Sequence, residues 1–424
     1  MRAVYTLLWW CAQPLLPLRL WWRGRREPGY RQAIGERFGR YAGSAATPDD
    51  VIWVHAVSAG ETRAAAPLVE RILRDRPHST VLLTAMTATG REAGRVLFDG
   101  RVVQAWLPYD LPSAVARFLA HYRPRAGIFM ETEVWPNLLR ACARRRVPVY
   151  LVNARLSRRS AAGYARLGAL ARESFASLAG VAAQSPADAS RLAELGAHAP
   201  QVFGNLKFDI DVPDAQRALG TTLRARFGAA RSVFVAASTR DGEEALIIDA
   251  LRAAPLPANA LCVIVPRHPQ RFDAVAALLT ARGVPFRRRS DASPVPDDVA
   301  FVLGDSMGEL AAYYGAADVA FVGGSLMAFG GQNLIEPIAQ GVPTLVGPHT
   351  FNFAEIADSA IGAGAALRVD DAATLVASVA GLLRDPGMRA TMRERALAFH
   401  AIHRGAADRL WQWLAPALDA APVH

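Results

Sequence analysis

Lysine is almost absent from this 424-residue chain: Lys207 is the single lysine among 48 basic residues, and the other 47 are arginines. Cysteine is nearly as scarce. Cys11, Cys142 and Cys262 are far apart and form no CxxC pair, which excludes a disulfide framework or a thiolate zinc site and fits a reducing compartment. No GxGxxG fingerprint or GxxxxGK[ST] loop occurs, so dinucleotide and ATP binding find little support. HExxH, EF-hand and GxSxG patterns are missing too, which removes the common zinc-protease, calcium and serine-hydrolase readings. Charged residues make up only 20% against 52% hydrophobic, a balance that folds rather than staying disordered. There is no short-period repeat and no low-complexity tract.

What charge there is lies unevenly. Residues 1–210 hold 29 basic and 16 acidic side chains, a balance of +13, whereas 211–424 hold 19 and 22, a balance of −3. A basic half joined to a near-neutral half points to a polyanion met by the first half alone: nucleic acid, an anionic membrane or a phosphorylated lipid. For any single arginine, a solvated surface remains the simpler account. The first residues favour the membrane over nucleic acid. Residues 4–18 form an apolar run carrying Trp9 and Trp10, followed by Arg19, Trp21, Trp22, Arg23, Arg25 and Arg26. Broken by Pro14 and Pro17, the run falls short of the roughly 20 residues that span a bilayer. Only Arg2 precedes it, unlike a signal peptide. Tryptophan beside arginine suits the headgroup layer, which predicts a shallow anchor or marginal span with the body on the cytoplasmic side. A buried first helix is the alternative.

From residue 51 onward, short apolar runs alternate with helix-like stretches. Strands are predicted at 51–57, 80–85, 127–130, 147–152 and 181–183, and in a second series at 232–237, 261–265, 301–303, 319–322 and 344–346. Fully apolar strands between helices indicate parallel sheets covered on both faces. The acidic stretch 209–214 separates the series. The expected fold class is α/β: two Rossmann-like doubly wound domains facing a central cleft, with an N-terminal membrane-anchor helix. The expected division is anchor and basic flank 1–26, first domain 27–208 and second domain 209–424, whose last helix could pack back on the first. Ligands of such sheets bind beyond the carboxyl ends of the strands.

The unusual residues cluster at those strand ends. Glu61 opens a helix after the first strand, placed as a general base or merely as a complement to the helix dipole. Glu131 and Glu133 follow the strand ending at Met130, and one of them could serve only as a helix cap. Lys207, in a chain that otherwise writes its cations as arginine, marks a site wanting a compact point charge, unless it is a chance survivor. In the second half, Ser238, Thr239 and Arg240 precede a helix start, whose backbone N–H groups suit a phosphate. Arg267 and His268 sit between prolines. Met307, Gly308 and Glu309 follow another strand. The pairs Gly323-Gly324 and Gly330-Gly331, leading to Asn333, Leu334, Ile335 and Glu336, have the form of a phosphate turn with polar groups for ribose hydroxyls. Asp209-Ile210-Asp211 forms one DxD triplet, but a carboxylate pair in a linker is a poor metal site, and no metal is expected.

Seven runs now stand in order: VHAVSAGE, ETEVWPNLL, NARLSRRS, GNLKFD, PRHPQRF, GDSMGEL and GGQNLIEP. Together, from about residue 51 to 352, they resemble the 3-deoxy-D-manno-octulosonic acid (Kdo) transferases. The resemblance implies a GT-B architecture, CMP-Kdo as donor substrate with no further cofactor, and a lipid A precursor as acceptor at the cytoplasmic face of the inner membrane. It also implies that Glu61 is the proton acceptor and that Glu131 and Lys207 steady the transition state. Arg267, His268, Met307, Gly308, Glu309 and Asn333 through Glu336 match the CMP-binding segments. Direct displacement with inversion is expected by analogy. Two other classes stay open on the residues alone. One is a sugar-nucleotide epimerase of the same fold, which needs no anchor. The other is a non-enzymatic module holding anionic lipid.

Overall fold

The computed structural model describes residues 1–25, 27–41, 50–291 and 293–421, so Arg26 lies outside them. They form two compact units: Met1–Ile210 together with the stretch from Arg404 onward, and Asp211–His403.

In the first unit, seven strands make one parallel sheet: β1 Val51–His55, β2 Thr80–Ala85, β3 Val103–Trp106, β4 Ala126–Met130, β5 Val149–Ala154, β6 Gly180–Ala183 and β7 Gln201–Val202. Their spatial order is β3-β2-β1-β4-β5-β6-β7. The order reverses between β1 and β4, the switch point at which such sheets hold ligands. Every residue of β1, β4 and β5 is buried, which is why these segments read as unbroken apolar runs. Trp53 pairs with Leu82 on one side and Gly127 on the other. A Cβ at Gly127 would stand 3.2 Å from the Trp53 and Phe129 rings, so that glycine makes room for the buried indole.

The second unit repeats the plan with β8 Ser232–Thr239, β9 Ala260–Pro266, β10 Phe286–Arg288, β11 Phe301–Leu303, β12 Val319–Val322, β13 Thr344–Val346 and β14 Ala366–Arg368. The order is β10-β11-β9-β8-β12-β13-β14, with its switch point between β8 and β12. The ten strands expected from sequence are all present. The four additional ones, β3, β7, β10 and β14, are the four sheet edges. Edge strands pair on one side only, and these are short and partly exposed, so they carry no apolar run.

The two N-terminal helices, Arg2–Ala12 and Leu15–Arg23, belong to the first unit. Among the described residues no helix is long and apolar enough to cross a membrane. One face of the pair is folded in: Leu16 and Leu20 are buried, and the Trp9 ring packs on Tyr109 and Trp135 at centroid distances of 5.8 and 6.4 Å. Tyr5 donates to the buried Asp110 carboxylate at 2.9 Å. The other face leaves Leu7, Leu8, Trp10, Leu15, Leu18 and Trp22 at least half exposed.

The last helix, Ala406–Ala420, covers one face of the first sheet, with Leu410, Trp411, Leu414 and Leu418 in a common core with Ile52, Val54 and Ile128. Its start is capped from a distance. Asp209 accepts from Gly405 N–H through Oδ1 and from Ala407 N–H through Oδ2, each at 2.6 Å. The first acid of the DxD triplet is therefore a helix cap that closes the first unit. Loss of such a cap typically costs about 1 kcal/mol. Asp209→Ala is expected to lower the unfolding free energy by that amount in urea titration, with Asp209→Asn losing less; equal stability of all three chains would show the cap to be idle.

Candidate active site

At the switch point of the first sheet, β1 ends in His55 and the chain turns through Ala56 and Val57 into the helix Ala59–Asp75. Ser58 caps this helix, accepting from Glu61 N–H at 3.4 Å. Glu61 in turn reaches back: Oε1 accepts from the Ser58 hydroxyl and Oε2 from Val57 N–H, both at 2.9 Å. The carboxylate is thus fixed over the strand end by its own helix start, in the manner of a capping box. Burial, reinforced by the Glu131 charge, pushes its pKa up to about 7, against the opposing pull of the Val57 N–H, the Ser58 hydroxyl and Lys207.

Glu131, the residue after β4, takes a left-handed backbone with φ 57, a conformation costly for a side chain with a Cβ. Its Oε1 accepts from Lys207 Nζ at 3.1 Å. Lys207 lies on the 3-10 turn Leu206–Asp209, which two asparagines position. Asn205 Oδ1 accepts from Lys207 N–H at 2.9 Å, and Asn153 Oδ1 accepts from Leu206 N–H at 3.0 Å. Asn153 itself sits at a bulge in β5 with φ 51. Glu61, Glu131 and Lys207 therefore converge from segments following three different strands.

Glu133 turns elsewhere. Its Oε2 accepts from Trp135 Nε1 at 2.9 Å and faces a cavity of about 270 Å³ lined also by Tyr5, Val134, Tyr164 and Leu170. Burial first, then the Glu61 and Glu131 charges, push its pKa up to about 8. His55 Nε2 stands 4.0 Å from the same oxygen. Burial drives the imidazole pKa down to about 3, so the approach joins a neutral ring to a carboxyl group and is not an ion pair.

The second unit gathers its candidates at one sheet end, because β8, β9, β11 and β12 run parallel. Ser238 occupies a bulge at the end of β8 with φ 54, and the Thr239 hydroxyl donates to buried Glu244 at 3.1 Å. Arg240 lies over the Phe329 ring at 4.8 Å. Arg267 Nε donates to Gln332 Oε1 at 3.4 Å. The His268 pKa is lowered by burial and then by the Arg240 and Arg267 charges, which marks a cationic corner suited to an anion. Met307 is exposed, and Gly308 turns with φ 78. Glu309 is held by Arg289 at 3.1 Å and by the Ser306 hydroxyl at 2.6 Å. Asn333 bridges Ile335 N–H and the Glu336 carboxylate at 3.1 and 3.0 Å. Leu334 and Ile335 have buried side chains, so only their backbone can meet a ligand. Among the described residues no group of three or more His, Cys, Asp or Glu side chains could hold a metal ion.

Residues 32–210 match the family described as 3-deoxy-D-manno-octulosonic-acid transferase (kdotransferase), and residues 283–399 match group 1 glycosyl transferases. A 3-deoxy-D-manno-octulosonic acid transferase of Bordetella pertussis is 47% identical over 97% of this chain and 99% of its own length. The chain belongs to the Kdo transferase family. The Haemophilus influenzae Kdo transferase is 37% identical over 99% of both chains. At the level of fold alone, UDP-GlcNAc 2-epimerase from Neisseria meningitidis superposes with a TM-score of 0.60 at 15% identity, covering 87% of this chain and 100% of that one. The Kdo transferase chain is thus a glycosyltransferase of the GT-B class.

Sequence reasoning missed the His55–Glu133 contact, since a histidine inside an apolar strand carries no outward signal. The couplings in this site can be measured. In a carboxyl-resolved NMR titration, Glu61 is expected to titrate near pH 7, and Glu131→Gln is expected to lower that midpoint by removing its second-largest cause. An unmoved midpoint would refute the coupling.

Proposed function

We propose that this Kdo transferase moves Kdo from CMP-Kdo to a hydroxyl of a lipid A precursor at the cytoplasmic face of the inner membrane. The observation that carries the reading is the Glu61 carboxylate, fixed at the first switch point with its pKa near 7 beside the Glu131–Lys207 pair. A base tuned to the working pH is the efficient choice for proton transfer. Glu61 accepts the proton of the acceptor hydroxyl while that oxygen bonds to the anomeric carbon. The bond from that carbon to the CMP phosphate breaks, CMP leaves with the electron pair, and the configuration inverts. Glu131 favours the positive charge that develops on the sugar ring, and Lys207 balances the sugar carboxylate. Arg267 and its cationic neighbours in the second unit suit the single phosphate of CMP. The epimerase reading rests on likeness of fold alone.

The proton-accepting form of Glu61 is scarce below its pKa and complete above it, so the transfer rate is expected to rise with pH through about 7. Glu61→Gln is expected to lose about 10² to 10⁴ in rate while still binding CMP. Product mass spectrometry with CMP-Kdo and lipid IVA provides the test: no Kdo adduct from the wild-type chain sinks the function, and half of wild-type turnover in the variant sinks the base.

Lys207→Arg keeps the charge but replaces a compact ammonium with a planar fork. The 3-10 turn fixes the backbone, so the longer group misplaces its charge against Glu131. A loss of at least tenfold in turnover, about 1.4 kcal/mol in barrier, is expected in steady-state kinetics, with donor KM changing less. Wild-type turnover in the arginine chain would return Lys207 to chance.

Membrane attachment is assigned to the exposed face of the N-terminal helices and its arginines; the Arg25 guanidinium lies 4.2 Å over the Trp21 ring. Deleting these helices would also strip Tyr5, Trp9, Leu16 and Leu20 from the first unit. The cleaner variant changes Leu7, Leu8 and Trp10 to serine. It is expected to keep its melting temperature within a few degrees and to stop floating with anionic vesicles; undiminished flotation would reject this face as the anchor.

A further inference from the structure

The backbone N–H groups at the second switch point, which the sequence offers to a phosphate, already hold an anion. Glu243, the first residue of the helix Glu243–Ala253, is fully buried at 0% exposure. Its Oε2 accepts from Arg240 N–H at 2.8 Å and Gly324 N–H at 2.6 Å, and its Oε1 accepts from Leu326 N–H at 2.9 Å. All three of these donors are backbone N–H groups and not charged side chains. Three convergent backbone N–H groups from the loops after β8 and β12 make a nest for an anion, and a side chain of the protein occupies it.

The space beside the nest is closed as well. Gly323 N–H donates to Ala237 O at 2.7 Å, and a Cβ at Gly323 would stand 2.6 Å from Ser238 O and 2.7 Å from Thr239 Cα. The backbones after β8 and β12 therefore touch at Gly323 with no room even for a methyl group. The cationic corner lies one loop over, where Arg267 meets Gln332 and its charge is felt by His268. A phosphate bound there sits beside a sheet end that already carries a fixed negative charge.

We infer that Glu243 is a specificity-determining residue: its carboxylate stands in the nest as a built-in anion and restricts the site to nucleotides carrying one phosphate, repelling nucleoside diphosphates. The inference rests on the proposed donor, a nucleoside-monophosphate-linked sugar, and states how this site would reject diphosphate-linked ones. The chemistry is that of like charges held in a site with little water, where each is costly without its own counter-charge. Glu243 is a positioning residue and touches no reacting atom in this account.

CMP and CDP share base and ribose and differ by one phosphate, so they isolate the effect. Calorimetric titration of the full-length protein is expected to give tighter binding of CMP than of CDP, and Glu243→Gln is expected to narrow that preference at least tenfold. A wild-type chain that takes CDP as tightly as CMP overturns the inference. So does an unchanged CMP/CDP ratio in the variant, including the case in which both affinities fall together, as simple loop damage would make them. Failure of the wild type to bind either nucleotide would instead strike the donor reading beneath it. Should the variant not fold, amide hydrogen exchange on the wild type decides. The N–H groups of Arg240, Gly324 and Leu326 are expected to be protected without nucleotide and unchanged at saturating CMP. Protection gained only with CMP would show that the phosphate takes the nest.

Discussion

The ion pair between Lys207 and Glu131, 3.1 Å long, ties together most of what is particular to the first unit. Each partner is held by strained or specialised backbone: Glu131 by a left-handed turn after β4, and Lys207 by a 3-10 turn that Asn153 and Asn205 hold in place. The same turn ends in Asp209, which caps the final helix. One short segment therefore couples the charge beside Glu61 to the closure of the core. Removing the ammonium would leave the Glu131 carboxylate without the ion pair that Lys207 gives it, beside the charges of Glu61 and Glu133. Glu61 and Glu133 already have raised pKa values. Uncompensated like charge in a partly buried site shifts pKa values further and costs stability.

The two sheets gather charge of opposite sign at their carboxyl ends. The first collects carboxylates, and burial raises the pKa values of Glu61 and Glu133. The second collects guanidinium groups around His268, whose pKa is lowered by burial and then by Arg240 and Arg267. Carboxylates with raised pKa values and clustered guanidinium groups need different local fields, and each Rossmann-like unit holds one of the two.

The central strands were legible in the sequence because burial on both faces demands uninterrupted apolar residues: Ile52 to Val54, Leu82 and Leu83, and Val319 to Val322 admit little else. The edges were not. Val202 and Leu367 are exposed, and β10 is Phe-Arg-Arg, so no hydrophobic run distinguishes these pieces from loop. Glu61, Glu131 and Lys207 stood out through position and, for lysine, rarity. Glu243 did not, because a glutamate in the first turn of a helix is the commonest complement to its dipole. Only the fold shows that its carboxylate gathers N–H groups from the loops after β8 and β12. Asp209 was hidden for a related reason: its partners, Gly405 and Ala407, lie almost two hundred residues further along the chain.

The route of the chain also fixes an order of assembly. The first unit is interrupted after Ile210 and resumes only at Arg404, with all of Asp211–His403 in between. The face of β1 that bears Ile52 and Val54 is covered by Leu410, Leu414 and Leu418, which follow the whole of the second unit along the chain. All of the second unit is therefore synthesised between the strands of the first sheet and the leucines that cover them. Through that interval its apolar sheet face is uncovered, and a chain halted short of the last helix would present that face to whatever apolar surface lies nearest.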